Sequence, residues 1–147
     1  MELYIHTTKS QHLPYEEIRE AFAKFQFTED LYEGKGSCIR QHTGRSRYGV
    51  IHIVMQRDFG RFIWDVSEEK IPSVYIDAVL STIKNIINIP KGLSPFSSFS
   101  FNYKVIDGAY HPVDSDNVSY EIATFLAIAA IIGFDHETLN IYRKNKL

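Results

Sequence analysis

The spacing of apolar and polar residues changes along the chain and predicts a mixture of helices and strands. Apolar residues recur every three or four positions over 14–25, behind a proline and with acids in the first turn, which is typical of a short amphipathic helix. Over 37–66 the period falls to two, and this predicts three strands, at 37–41, 48–56 and 61–66. Because the first two flank a polar, basic segment, we expect them to form a hairpin.

The second half of the chain predicts two longer helices and one long strand. A helix is expected over 72–88, where one apolar stripe indicates core packing. A strand is expected over 99–106, and Asp107-Gly108 should end it. The final helix, 117–132, is apolar on more than one face, so we expect it at the centre of the core.

Residues flanking the final helix predict where it begins and stops. Ser115 is expected to be its N-cap, with Asp116 in the first turn, where the helix dipole favours a negative charge. Gly133 is expected to end the helix. With a short strand at residues 3–6, the predicted order is a strand and a helix followed by β-β-β-α-β-α.

Length and composition indicate one domain with a core of its own: 147 residues, 44% of them hydrophobic. The only cysteine, Cys38, cannot form an intramolecular disulfide, which fits a reducing compartment. We expect Cys38 to be buried packing, with a reactive pairing to a histidine as the alternative. Because the sequence has neither an apolar window long enough to span a membrane nor a signal peptide, we expect a cytoplasmic location and no membrane partner.

The formal net charge of −2 is distributed unevenly. Residues 1–34 carry a net −4 and residues 62–147 a net −3, whereas residues 35–61 carry six bases and one acid, a net +5. A basic stretch within an acidic chain indicates a surface that faces phosphate groups. From the charge alone, a solvated polar hairpin is the better explanation.

Motifs for several catalytic chemistries are missing from the sequence. No glycine-rich loop ends in Lys-Ser/Thr, so we expect the chain neither to bind nor to hydrolyse a nucleotide. The histidines offer no pair at helical spacing for a metal, since a hairpin turn separates His42 from His52. Asp107, Asp114 and Asp116 could hold a cation, but turn formation and helix capping explain them better.

Two segments, 41–49 and 107–115, combine bases or histidine with an aromatic residue and glycine. This mixture can contact phosphates and stack on bases. Taken singly, His111 is better explained as a solvated turn residue and Tyr48 as a half-buried strand residue. The two segments therefore point to nucleic acid only in combination.

Together with their flanks, these segments match the motifs of a known family. The chain reads G-K-G-S-C-I-R-Q-H-T-G-R-S-R-Y-G over 34–49, I-P-S-V-Y-I-D-A-V over 71–79 and D-G-A-Y-H-P-V-D-S-D-N-V-S-Y-E-I-A over 107–123. In this order and spacing, they resemble G-K-x-x-R-Q-T-G-G-R-G-Q-Y-G, I-P-x-x-Y-I-x-A-V and D-G-x-Y-H-x-V-D-S-S-E-x-A-F-x-I-A. These are the patterns of the fourth domain of translation elongation factor G, which ribosomal-protection tetracycline-resistance factors share.

The resemblance implies an α+β fold, a two-layer sandwich of about four strands and two main helices with a left-handed βαβ crossover, also found in a small-subunit ribosomal protein. In the family, two tip loops contact the tRNA–mRNA duplex and RNA of the small ribosomal subunit. Carried over by position, the residues that the resemblance assigns to RNA or ribosome contact are Arg40, His42, Gly44, Arg45, Arg47, Tyr48, Gly108, Tyr110 and His111. The resemblance implies no catalytic residue, metal or cofactor in this part of the family.

The chain departs from the family pattern in several places. Thr43 and Ser46 replace glycines, which stiffens the first loop, and Arg47 replaces a glutamine. The GTPase domain of the family has no counterpart in this sequence. Residues 1–33, in turn, match no part of the family pattern. We divide the chain into an N-terminal strand/helix extension (1–33), a domain IV-like domain (34–133) and a C-terminal tail (134–147).

The sequence therefore favours a translation-factor-related module that binds the ribosome or RNA without GTPase activity of its own. One alternative is a protein–protein adaptor on the same fold with a non-functional tip. Another is a fragment of a larger translational GTPase, although Met1 and the polar C-terminal residues resemble natural ends. A small enzyme on this fold is the last alternative, and no motif supports it.

Overall fold

A computed structural model describes residues 2–5, 13–40, 46–87, 101–135 and 141–143, with backbone only at 2–5, 40 and 141–143. A 3₁₀ turn at Ser73–Tyr75 precedes the second helix. The strands and helices, in chain order, are β1 (Glu2–Ile5), α1 (Tyr15–Lys24), β2 (Leu31–Arg40), β3 (Arg47–Arg57), β4 (Phe62–Trp64), α2 (Ile76–Ile86), β5 (Phe101–Ala109), α3 (Asn117–Ile132) and β6 (Ile141–Arg143).

The strands form one mixed sheet in the order β4-β5-β3-β2-β1-β6. β2, β3 and β5 are antiparallel neighbours, with the expected hairpin between β2 and β3. β4 runs parallel to β5, and the chain between them includes α2, so the expected βαβ crossover is present. The α+β class is confirmed. The sheet has six strands rather than about four, because β1 pairs with β2 and β6 with β1.

Two strands extend further than the sequence pattern predicted. β2 begins at Leu31 rather than at residue 37, because Gly34 and Gly36 interrupt its apolar alternation. The expectation that Asp107-Gly108 ends β5 is wrong. The ladder continues to Ala109, because a β-bulge absorbs one extra residue, Ile106, where His52 pairs with Asp107 but Ile53 pairs with Val105.

The core lies between the sheet and the helices, with α3 at its centre, as expected. α3 packs directly on the helix-facing side of β2 and β3, and most of its residues are buried. Glycines make this approach possible: a Cβ at Gly36 would overlap the carbonyl oxygen of Ala123, and one at Gly34 that of Ala127. Cys38 is buried in β2, as expected. Within the described ranges, no helix is long and apolar enough to cross a membrane.

The residues before β2 pack on the end of the sheet where β2 begins. The Phe27 ring lies 5.1 Å from the Phe101 ring and 4.7 Å from the Phe25 ring. The Arg57 guanidinium donates to the Phe27 carbonyl oxygen, pairs with Asp30 at 3.2 Å and stacks over the Phe101 ring. We call this end of the sheet the base end.

The ends of α3 differ in one respect from the expectation. The N-cap is Asp116 rather than Ser115, and its Oδ1 accepts a hydrogen bond of 2.8 Å from the backbone N–H of Ser119. Ser115 lies one residue before the cap, where its hydroxyl makes other hydrogen bonds. Gly133 ends the helix with φ of +66°, a conformation that glycine adopts without strain, as expected.

Burial of Tyr103 predicts a loss of stability at high pH. Its side chain is 6% exposed, and burial raises the pKa of its phenol well above the ordinary 10.0. The Tyr103 phenol therefore ionises at a lower pH in the unfolded chain than in the folded one. The stability that depends on its protonated form is complete below pH 10, and above pH 10 the free energy of unfolding falls by about 1.4 kcal/mol per pH unit. In urea titrations between pH 9 and 11, we expect Tyr103→Phe to show a shallower fall of unfolding free energy; an identical fall would contradict this.

Candidate nucleic-acid interface

The two segments with candidate RNA-contacting residues meet at the end of the sheet opposite the base end. β2 ends and β3 begins there, with Arg40 opposite Arg47 in the ladder. β5 ends at Ala109 at the same end, and a turn leads from it into α3. His42, Gly44 and Arg45 lie outside the described residues, as does the side chain of Arg40.

The turn after β5 is organised around the His111 imidazole. Its Nδ1 accepts hydrogen bonds from the backbone N–H groups of Val113, at 3.2 Å, and Asp114, at 3.1 Å. The His111 N–H itself donates to Ser115 Oγ at 2.9 Å. Because Nδ1 is an acceptor in this pattern, the hydrogen bonds assign the proton of the neutral ring to Nε2.

The turn is joined to the first residues of β3 by two hydrogen bonds. Ser115 Oγ donates to the Tyr48 carbonyl oxygen at 2.6 Å, and the Tyr48 N–H donates to the Asp114 carbonyl oxygen at 3.2 Å. The Tyr48 and His111 rings lie 6.3 Å apart between centroids. The described parts of the two segments therefore lie side by side. We call the surface made by Tyr48, Tyr110, His111, Pro112 and Val113 the tip surface.

Arg47 lies beside this surface but is engaged within the protein. Its Nη1 donates to Asp116 Oδ2 at 2.5 Å, and the two side chains are 16% and 20% exposed. Asp116 thus caps α3 through one carboxylate oxygen and binds Arg47 through the other. Arg47 Nε is buried and has no hydrogen-bond partner among the described residues.

Two tyrosines donate hydrogen bonds to the backbone beside the tip surface. Tyr75 OH donates to the Ser115 carbonyl oxygen at 3.1 Å, and Tyr120 OH donates to the Ala109 carbonyl oxygen at 2.6 Å. The Tyr75 ring lies 4.6 Å from the Tyr120 ring and 6.2 Å from the Tyr110 ring. Burial, followed by the neighbouring Tyr110 and Asp116, raises the pKa of Tyr75. Sequence reasoning did not single out Tyr75, although it occupies the tyrosine position of the middle motif.

Gly108 lies in β5 rather than in a loop. It pairs with Ile51, and a Cβ at this position would overlap the Ile71 side chain and the Val50 carbonyl oxygen. The glycine is therefore required for packing. Neighbouring Asp107 faces the other way, and Lys70 Nζ donates to its carboxylate at 2.7 Å. This bond, with one from the Gly108 N–H, lowers the pKa of Asp107.

Ion pairs reduce the charge of the basic stretch at residues 35–61. Of its six bases, Arg47 pairs with Asp116 and Arg57 with Asp30, and both acids lie outside the stretch. The three acids considered for a cation have separate roles, since Asp107 binds Lys70, Asp116 binds Arg47, and Asp114 lies against His111. Across the described ranges, no group of three or more histidine, cysteine or acidic residues has the arrangement of a metal site.

Comparisons with known proteins agree with the motifs. Elongation factor G of Ureaplasma urealyticum serovar 10 is 30% identical over 105 residues, which are 69% of this chain and 15% of that protein. Elongation factor G of Mycoplasma genitalium is 30% identical over 99 residues, 65% of this chain and 14% of that protein. A crystal structure of a Thermus thermophilus protein matches with a TM-score of 0.59 and 29% identity, over 71% of this chain and 16% of that chain. No family model matches.

The relatives are much longer than this chain, which spans about 15% of the length of the elongation factors that it matches. The match covers more than two thirds of this chain both in sequence and in structure. The fold, with its mixed sheet and βαβ crossover, is the one expected from the three motifs. The chain is therefore a divergent relative of the domain IV region of elongation factor G.

Proposed function

We propose that the chain is an RNA-binding module that docks on the small ribosomal subunit, at its RNA or at bound tRNA–mRNA, through the tip surface. The observation that carries the proposal is the joining of the turn after β5 to the start of β3, which presents His111 and Tyr48 together. The relationship to elongation factor G supports the ribosome as the partner.

The chemistry of the tip surface suits RNA better than a small molecule. The Nε2–H of His111 is a hydrogen-bond donor, and the rings of Tyr48 and His111 can stack on bases or pack on ribose. Arg40, His42, Gly44 and Arg45 precede β3, and we propose that they add phosphate contacts. Tyr110 contributes from the same turn. Arg47 and Gly108, assigned to the same role by position, have the internal contacts described above and would act mainly by shaping the surface.

We further propose that the chain has no catalytic or GTPase activity, binds no nucleotide and acts in the cytoplasm. Its sequence has no phosphate-binding loop, which a GTPase requires. Docking would be small and oriented, since the basic stretch is short and the rest of the chain is acidic.

Co-sedimentation with purified small ribosomal subunits over a salt series tests the proposal. We expect salt-sensitive binding, and a loss of affinity of about tenfold for His111→Ala, because one stacked base contributes about 1–3 kcal/mol. The matched control is His52→Ala, which removes a half-buried histidine from the middle of β3, away from the tip surface. Absent binding, salt-insensitive binding, or equal losses for the two variants would contradict the proposal.

A protein–protein adaptor is the second candidate, favoured by the ion pairs of Arg47 and Arg57 and by two exposed apolar side chains. Val113 is 83% exposed in the turn after β5, and Val74 is 72% exposed just before α2. Binding of a purified protein partner that persists after nuclease treatment and is lost in Val113→Asp, but is unchanged in Arg45→Ala, would favour the adaptor.

A further inference from the structure

The contacts that join the turn after β5 to β3 form a continuous set, from Arg47 through Asp116 and Ser115 to Tyr48 and His111. We propose that Arg47, Ser115 and Asp116 are positioning residues that hold the tip surface in one arrangement, and that Arg47 acts through Asp116 instead of binding phosphate. We call these three residues the brace. The proposal rests on the proposed function, since the arrangement matters for affinity only if the tip surface binds RNA.

Ser115 connects the two sides of the tip surface through a single oxygen atom. Its Oγ accepts from the His111 N–H at 2.9 Å and donates to the Tyr48 carbonyl oxygen at 2.6 Å. Its own carbonyl oxygen accepts from Tyr75 OH at 3.1 Å. Removal of the hydroxyl would leave the His111 N–H without this acceptor and the Tyr48 carbonyl without this donor, so the turn would keep only one of its two hydrogen bonds to Tyr48 and would be held less firmly on β3.

Arg47 has the surroundings of an internal ion-pair residue. An arginine that binds phosphate presents several N–H donors to solvent as a fork, whereas Arg47 has a buried Nε and uses Nη1 for Asp116. If Arg47 turned towards a phosphate, the Asp116 carboxylate would lose its counter-charge close to the RNA. Glu121 adds negative charge there, and its pKa is raised by burial and by Asp116 while Arg47 opposes the rise.

The salt dependence of binding separates a positioning residue from a phosphate contact. A plot of log K against log salt concentration has a negative slope, and loss of one phosphate contact makes it less steep by about 0.7–0.9. Loss of positioning instead lowers the affinity by the same factor at every salt concentration. With purified small ribosomal subunits as the probe, we expect Arg47→Met and Ser115→Ala to bind about tenfold more weakly with an unchanged slope. Arg45→Ala is the phosphate-contact comparison, and Arg61→Ala, at the base end, is the charge-matched control with neither effect.

Hydrogen exchange on the free chain tests the brace without any RNA. We expect faster exchange at the Tyr48 and His111 amides in Ser115→Ala, with Trp64 fluorescence showing that the variant is folded.

A double variant tests whether Arg47 acts through Asp116. We expect Arg47→Met/Asp116→Asn to bind no more weakly than Arg47→Met, because both changes break the same Arg47–Asp116 ion pair. A reduced slope or unchanged affinity for Arg47→Met, or unchanged exchange in Ser115→Ala, would overturn the brace. Absence of binding by the unmodified chain, with faster exchange in Ser115→Ala, would overturn the proposed function alone.

Discussion

Gly36→Ala is expected to lower the free energy of unfolding by about 3 kcal/mol, the largest effect that we expect from adding a single methyl group to this fold. A Cβ at this position would overlap the Ala123 carbonyl oxygen and lie 2.6 Å from the Ala127 backbone nitrogen. Both atoms belong to the backbone of α3, so no side-chain rotation can relieve the clash. The helix must move away from β2, which loosens the centre of the core. Urea denaturation followed by Trp64 fluorescence measures the change.

Gly49→Ala is the matched control for this prediction. Gly49 also lies in a strand beneath α3, but its added Cβ would approach the Ser119 backbone and side chain at 3.2 Å, a contact that a small shift relieves. We expect a loss of about 1 kcal/mol or less. Equal losses at the two positions would show that α3 is not held as close to β2 as the structure has it.

Asp116→Ala is expected to lower the free energy of unfolding by about 3 kcal/mol. The change removes the N-cap of α3, which contributes about 1 kcal/mol. It also leaves the Arg47 guanidinium, only 16% exposed, without its counter-charge. An unpaired charge is much more unfavourable when it is buried than when it is exposed to water. Loss of the ion pair should therefore lower the stability more than loss of the cap does.

Asp116→Asn separates the two parts, because asparagine caps helices about as well as aspartate but carries no charge. We expect this variant to retain the cap contribution and to lose that of the ion pair. Adding Arg47→Met to Asp116→Asn should recover stability, since neither charge then stays buried alone. Unchanged stability in Asp116→Asn, together with no gain on adding Arg47→Met, would show that the ion pair contributes nothing.

Local patterns in the sequence predicted those parts of the fold that neighbouring residues determine. The ends of α3 were expected at 117 and 132 and lie there, because its residues are largely apolar and Gly133 takes a left-handed conformation. The beginning of β2 was missed because its helix-facing positions are glycines, which carry no hydrophobic signal. These positions must lack a side chain because α3 packs so closely on them. Only the structure, which shows the position of α3, reveals this requirement.

The candidate site was predicted as a set of residues but not as an arrangement. The motifs assigned Tyr48 and His111 to the same kind of contact in two separate loops, and the structure places their rings 6.3 Å apart. The engagement of Arg47 could not be predicted, because its partner Asp116 lies 69 positions away in the sequence. A basic residue in a polar segment looks the same in a sequence whether its charge faces solvent or an internal carboxylate.

The bulge at Ile106 determines which way the end of β5 faces. Successive side chains of a strand point to opposite faces, so one extra residue exchanges the two faces for everything beyond it. With Ile106 present, Gly108 faces Ile71 and Asp107 faces outwards to Lys70. Without the bulge, Ile106 would pair with His52 and Asp107 with Ile51, which would direct Asp107 into the core and turn the residues after it to the opposite face. The direction in which this protein presents His111 therefore depends on the pairing register of β5 beyond the bulge as well as on the identity of its residues.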